Sequence, residues 1–286
     1  MSSISLSKAE AHSKAVVEEV VNFKNEGQTL VGIMTFPGEI QKPLPAVVLL
    51  HGFTSNKNED SIVGTGVGMF HHTAKRLSEA GYIILRFDFR GHGESDGDFE
   101  DLTISNLISD TLAAIDFIAN QKGVNPERIG LLGQSLGGLT AAYVGCRDDR
   151  IKSVSLWNAP PHPFETFVSL MGWDTLREVF SRDYITFNWE NKGQFTLKAE
   201  FFNDLIKTSP LVDITKFSGS LLVIGGKTDQ YIHPQPQMGD AFILAHKGKN
   251  KLIILNTDHS FNIKTRGSKY LDEAIKWSIQ WFKDTL

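Results

Sequence analysis

The tightest constraint on this chain is the apolar run Ile129-Gly130-Leu131-Leu132, which continues without a break into Gly133-Gln134-Ser135-Leu136-Gly137 and then Gly138-Leu139-Thr140-Ala141-Ala142-Tyr143. A short apolar run ending in glycine reads as a buried strand, and the small-residue segment behind it as the start of a helix. Between the two, Gly-x-Ser-x-Gly asks for a sharp strand-to-helix turn that strains the serine backbone and pushes its hydroxyl clear of the sheet. The flanking glycines, lacking Cβ atoms, let the next strand and the helix come close. Ser135 is therefore the first candidate nucleophile, and the rest of the chain is searched for its partners.

The other strands follow the same logic. Residues 46–50, 82–87, 129–132, 154–157, 221–224 and 252–255 are short, nearly continuous apolar runs without a polar face, as strands covered on both sides require. Residues 16–23 and 29–36, separated by Asn25-Glu26-Gly27, predict an antiparallel hairpin at the start of the sheet. Helical spacing occupies 69–80, 104–119, 136–146, 238–246 and 270–282. In the last of these, Tyr270, Ala274, Trp277 and Trp281 form one stripe. Alternating strands and helices imply an α/β fold: a mostly parallel central sheet with helices on both faces, whose reactive groups gather beyond the carboxyl ends of the strands.

One interval breaks the alternation. Residues 159–220 separate two strands that a single helix would join, and a structureless loop of that length is unexpected. The segment holds eleven of the chain's 29 aromatics. Within it Ile185, Phe187 and Trp189 alternate with polar residues before Asn191-Lys192-Gly193 turns the chain toward Phe195 and Leu197, a hairpin with one apolar face. We therefore expect a core formed by residues 1–158 and 221–286, and an inserted cap of helices plus a β-hairpin over 159–220. Most of the cap's aromatics are expected to form its own small core; which of them bind substrate is not readable from spacing.

A serine hydroxyl needs a general base, and the base an orienting acid. Asp229 follows the 221–224 run and His259 the 252–255 run, giving the order Ser135, Asp229, His259. Asp258 is the rival acid, but in extended chain it points away from its neighbour His259. His233, just before Pro234, is the weaker rival base and is read as a turn residue. The transition-state oxyanion needs backbone donors: the N–H of Leu136, directly after the serine, and that of Phe53 in the loop Leu50-His51-Gly52-Phe53-Thr54. His51 is read as orienting that loop, and His92, between two glycines, as part of a hydrogen-bonded turn. His71 and His72 lack a metal-ligand pattern, and no metal site is expected.

Composition narrows the partners. A net charge of −4, with 22% charged and 41% hydrophobic residues, carries no basic footprint for nucleic acid. No stretch approaches the roughly 18 apolar residues of a membrane span, and residues 1–14 show no signal-peptide core, so the chain is expected to be soluble and cytoplasmic. The single cysteine, Cys146, excludes an internal disulfide and reads as a structural thiol on the helix after Ser135. A homodimer is left open.

Together, His51-Gly52-Phe53-Thr54, Asp88-Phe89-Arg90-Gly91-His92-Gly93-Glu94-Ser95-Asp96-Gly97, Gly133-Gln134-Ser135-Leu136-Gly137-Gly138, Asp229 and Asp258-His259-Ser260-Phe261 resemble the α/β-hydrolases. Within them the resemblance is to the bacterial cinnamoyl or feruloyl esterase group, over about residues 45–160 and 220–285. The resemblance implies an α/β-hydrolase fold, the triad Ser135, Asp229 and His259, oxyanion donors at Phe53 and Leu136, and a cap closing over the acyl group. Gln134 stands where that group is expected to carry histidine. The function expected is a serine hydrolase cleaving small carboxylic esters through an acyl-enzyme without a cofactor, on aryl, cinnamoyl or short-to-medium acyl esters. Thioesterase, acylglycerol lipase and peptidase activities remain alternatives on the same fold, and a non-catalytic binding module is the reading from another class.

Overall fold

The computed structural model describes residues 15–190 and 192–286. The expectation about residues 1–14 and the turn position Asn191 lie outside the described residues.

The chain opens with the hairpin β1 (Val16–Asn25) and β2 (Gln28–Pro37), paired antiparallel through a two-residue turn. Glu26 and Gly27 both hold positive φ, the type I′ geometry whose twist matches the flanking strands. After β3 (Leu44–Leu50) the pattern is regular: α1 (Met69–Glu79), β4 (Ile83–Phe87), α2 (Ile104–Ala119), β5 (Val124–Gln134), α3 (Leu136–Val144) and β6 (Ile151–Trp157). The strand β6 leads into α4 (Pro163–Met171), α5 (Trp173–Arg182), the hairpin strands β7 (Tyr184–Asn188) and β8 (Gln194–Lys198), α6 (Ala199–Lys207) and α7 (Pro210–Ile214). The core pattern then resumes with β9 (Ser220–Gly226), α8 (Gln237–Ala245), β10 (Asn250–Leu255), α9 (Ile263–Arg266) and α10 (Lys269–Thr285).

Eight strands form one sheet in the order β1-β2-β4-β3-β5-β6-β9-β10. The pairs β1–β2 and β2–β4 are antiparallel, and the rest are parallel. Strand alternation explains the continuous apolar runs. In β3, Ala46, Val48 and Leu50 pack into the core shared with α2 and α3, whereas Val47 and Leu49 pack against α1 and α10 on the other face. In β9, Leu221 and Val223 join the first core and Leu222 and Ile224 the second. Each such side chain removed from water contributes about 1.5–3 kcal/mol, which is what makes a sheet covered on both faces stable.

Two local expectations shift. The buried face of α10 is centred on Leu271, Ala274, Ile275, Ser278 and Phe282, with Trp281 beside them. Tyr270 and Trp277 are only partly buried; Lys269 Nζ lies 5.2 Å from the Tyr270 ring centroid and Lys251 Nζ 4.2 Å from that of Trp277, so these rings form the wet border of the stripe. The helix α3 ends at Val144, which leaves Cys146 beyond it and half-buried, its thiol pushed up by burial.

Candidate active site

Ser135 joins β5 to α3 at φ 54° and ψ −117°, a conformation rare for a residue with a side chain. The surroundings hold it there. Its N–H donates to the Trp157 carbonyl of the adjacent strand at 2.8 Å. A Cβ on Gly133 would meet the Gly137 carbonyl oxygen at 2.1 Å, and one on Gly137 the Leu50 carbonyl oxygen at 1.8 Å. The elbow is thus wedged between its own helix and β3, and only glycine fits at either position.

Because β9 and β10 pair in parallel with Leu255 opposite Gly226, the loops leaving them start side by side. Three residues past β9, Asp229 is 4% exposed, and its Oδ1 accepts the backbone N–H groups of Tyr231 and Ile232, both at 2.8 Å. Its Oδ2 lies 2.7 Å from Nδ1 of His259, four residues past β10. A carboxylate at Nδ1 places the imidazole proton there, leaving Nε2 as the basic nitrogen. Asp258 is engaged elsewhere: its Oδ1 accepts the N–H groups of Ser260 and Asn262 at 3.0 and 2.6 Å, capping the turn behind His259. His233 is exposed.

The loop after β3 is clamped at Gly52. His51, buried and held well below its usual pKa by that burial, accepts the Phe89 N–H through Nε2 at 3.2 Å. Its proton therefore sits on Nδ1, which donates to the Gly52 carbonyl at 2.9 Å. In a trans peptide the C=O of one residue and the N–H of the next point in opposite directions, so holding the Gly52 carbonyl from one side aims the Phe53 N–H to the other. The Gly52 N–H in turn donates to Glu59 Oε1, and Glu59 Oε2 accepts from Ser55 Oγ at 2.7 Å. Burial pushes the Glu59 carboxyl above its usual range against the pull of these two bonds. Leu136 is the first residue of α3, where a helix N–H has no intrahelical acceptor. His92 makes the expected turn bond, Nδ1 to the Arg90 carbonyl at 3.0 Å, and packs against His51.

Ser135, Leu136, Phe53 and His259 all border one cavity of about 750 Å³, open solvent included. Phe167, Leu170, Trp189 and Ile232 give it an apolar wall; Asp60, Glu190, Lys192 and Lys264 give it a charged one. Lys264 Nζ bridges Asp60 and Glu190 at 3.1 and 3.2 Å, and Lys192 reaches Asp60 at 2.9 Å, so residues of the β7–β8 turn meet the loop after β3 and the helix α9. The Phe53 ring lies edge-on to Phe167 and Trp189 at 5.2 and 5.1 Å and parallel to Phe187 at 6.1 Å. Glu59, Gln134, Asn158 and Tyr231 were not anticipated as site residues. Gln134 and Asn158 act through the distant His259 carbonyl, and Glu59 and Tyr231 through bonds to or from nearby backbone and side chains that no residue pattern marks.

Residues 69–285 match the prolyl oligopeptidase family, peptidase S9. The chain belongs to that family. A stretch of 210 residues is 38% identical to the uncharacterized protein YfhR of Escherichia coli (strain K12), covering 71% of this chain and 62% of that protein. Another of 111 residues is 32% identical to the thiohydrolase aneE of Aspergillus aculeatus, covering 38% and 32%. The chain spans less than two thirds of the length of these curated relatives. Among solved structures, Est1E of Butyrivibrio proteoclasticus with ferulic acid bound superposes with a TM-score of 0.76 at 21% identity, over 92% of this chain and 98% of that one. The fold of this prolyl oligopeptidase family member is that of the α/β-hydrolase esterases, and its family and fold are those of hydrolases.

Proposed function

We propose that the chain is a serine hydrolase of carboxylic esters, with Ser135 as nucleophile, His259 as general base and acid, and Asp229 as the orienting acid. The observation that carries this reading is the 2.7 Å bond from His259 Nδ1 to Asp229, with His259 bordering the same cavity as a serine held in elbow geometry. In the proposed sequence Ser135 Oγ attacks the ester carbonyl while His259 Nε2 takes its proton. The N–H groups of Phe53 and Leu136 receive the negative charge on the carbonyl oxygen. The tetrahedral intermediate then expels the alcohol, which takes the proton from His259, and water cleaves the acyl-enzyme by the same base in reverse order.

Residues 159–220 are read as a cap whose aromatic wall receives the apolar part of the ester, and the substrate class as aryl or short-to-medium acyl esters. The ferulic acid in Est1E supports the aryl reading by fold alone. The name of the Aspergillus relative supports a second reading, thioester hydrolysis, in which the same residues act on a better leaving group. Ser135→Ala is expected to abolish p-nitrophenyl butyrate hydrolysis and fluorophosphonate labelling while leaving the unfolding transition intact; retained turnover sinks the assignment. A panel from acetyl through octanoyl esters to methyl ferulate and an acyl thioester, read as kcat/KM, separates the substrate readings.

A further inference from the structure

We infer that Asn158 is a positioning residue that locks the loop carrying Asp229 to the loop carrying His259 through a single side-chain amide. The inference rests on the triad reading above. Asn158 is the first residue past β6, 1% exposed, with φ 47°. Asparagine is one of the few residues with a side chain that tolerates this left-handed conformation, and its amide offers both a donor and an acceptor. Both are used. Oδ1 accepts the Gly226 N–H at 2.8 Å, and Nδ2 donates to the His259 carbonyl at 2.7 Å. Its own N–H donates to the Ile224 carbonyl at 2.9 Å, which pins its backbone to β9.

The two loops are already close. The Gly226 carbonyl accepts the Asp229 N–H at 3.1 Å, so Gly226 starts the turn that presents the acid. A Cβ on Gly226 would meet the Thr257 and Asp258 carbonyl oxygens at 2.6 and 2.7 Å, so this turn is pressed against the backbone leading to His259. One rigid planar amide therefore spans acid turn and base turn, and the His259–Asp229 bond is a second, separate tie between them. The His259 carbonyl has a second tie, Gln134 Nε2 at 3.3 Å, from the residue before the serine. The His259 carbonyl thus receives both amides, one from the residue before the serine and one from Asn158, whose Oδ1 holds the start of the Asp229 turn, and neither amide touches the reacting atoms as proposed. What Asn158 contributes is registration: a base displaced by a fraction of an ångström loses rate without losing substrate affinity.

The test is the pair Asn158→Asp and Gln134→Leu, assayed with p-nitrophenyl butyrate beside Ser135→Ala, each variant checked for a cooperative unfolding transition. Asn158→Asp keeps an acceptor for the Gly226 N–H but sets an oxygen against the His259 carbonyl where a donor now sits at 2.7 Å. The expected result is a kcat loss of roughly 10- to 100-fold with KM within about threefold, and a loss of roughly 3- to 10-fold for Gln134→Leu. A folded Asn158→Asp with kcat within about threefold of the parent overturns the inference. So does an unfolded Asn158→Asp accompanied by an unimpaired Gln134→Leu, since the amides would then serve the fold alone. Turnover retained by Ser135→Ala overturns the triad reading and this inference with it; turnover lost there but kept by Asn158→Asp overturns this inference only.

Discussion

A Cβ placed on Gly137 would sit 1.8 Å from the carbonyl oxygen of Leu50, which makes the first turn of α3 and the end of β3 a backbone-to-backbone contact. Neither side can yield, because Leu50 pairs with Gly133 in the sheet and Gly137 belongs to the helix that the elbow launches. Gly137→Ala is expected to destabilise the protein by about 3 kcal/mol or more, the range of overpacking against rigid neighbours. Urea unfolding reads this as a lower midpoint at unchanged slope.

The Asp229 carboxylate divides its work between two backbone N–H groups and one imidazole. Asp229→Asn preserves an acceptor for Tyr231 and Ile232 and turns an NH₂ toward His259 Nδ1, which favours the imidazole tautomer with its proton on the wrong nitrogen. The expected outcome is a kcat loss of roughly 10³- to 10⁴-fold, with KM and the unfolding midpoint little changed. Steady-state kinetics on a chromogenic ester, with a denaturation curve on the same preparation, checks it.

The consecutive carboxyls Glu59 and Asp60 shift in opposite directions. Burial raises Glu59 above 4.5, and its bonds from Gly52 and Ser55 do not offset this. Burial would raise Asp60 too, but Lys192 and Lys264 outweigh it and hold Asp60 below 3.8. By linkage, the stability Glu59 contributes is fully present below about pH 4.5 and lost as pH rises through its raised folded value, whereas that from Asp60 is present above about pH 3.8 and lost as pH falls through its depressed one. Asp60→Asn should therefore cost about 1 kcal/mol at pH 7, with the gap to the parent closing in acid. For Glu59→Gln the difference from the parent should move in the variant's favour as pH rises above 4.5. Unfolding free energies measured from pH 3 to 8 separate the two; parallel curves would refute the opposed signs.

How much of this was legible in the sequence follows from the range of each interaction. The parallel strands of the main sheet show as largely apolar runs because both their faces are covered, a local signal, whereas the mostly exposed β1 shows through its turn instead. Asp229 and His259 show because each is an ionisable side chain a few residues past a strand end, a position readable without knowledge of its neighbours. Asn158 and Gln134 do not show, since their common partner, His259, is 101 and 125 residues away and the bond is to its backbone, which leaves no residue type to recognise. The face of α10 was misjudged for a related reason: tryptophan and tyrosine count as apolar in a periodicity, yet Trp277 and Tyr270 use their breadth to form a border beneath lysines. Spacing also cannot distinguish aromatics that fill residues 159–220 from those that face the cavity.

Trp189 is where that distinction can be measured. It borders the cavity beside Leu170 and Phe167, stands edge-on to the Phe53 ring at 5.1 Å, and comes from the turn that the Lys192 and Lys264 ion pairs hold against the core. If the apolar wall receives the acyl chain, Trp189→Ala opens room for longer chains and removes contact from none that are short. The kcat/KM ratio of octanoyl to acetyl ester should then rise by roughly 10-fold, the scale at which an apolar pocket discriminates chain length. If the wall serves the leaving alcohol instead, that ratio stays put, and the change appears in a series that varies the alcohol at fixed acetyl.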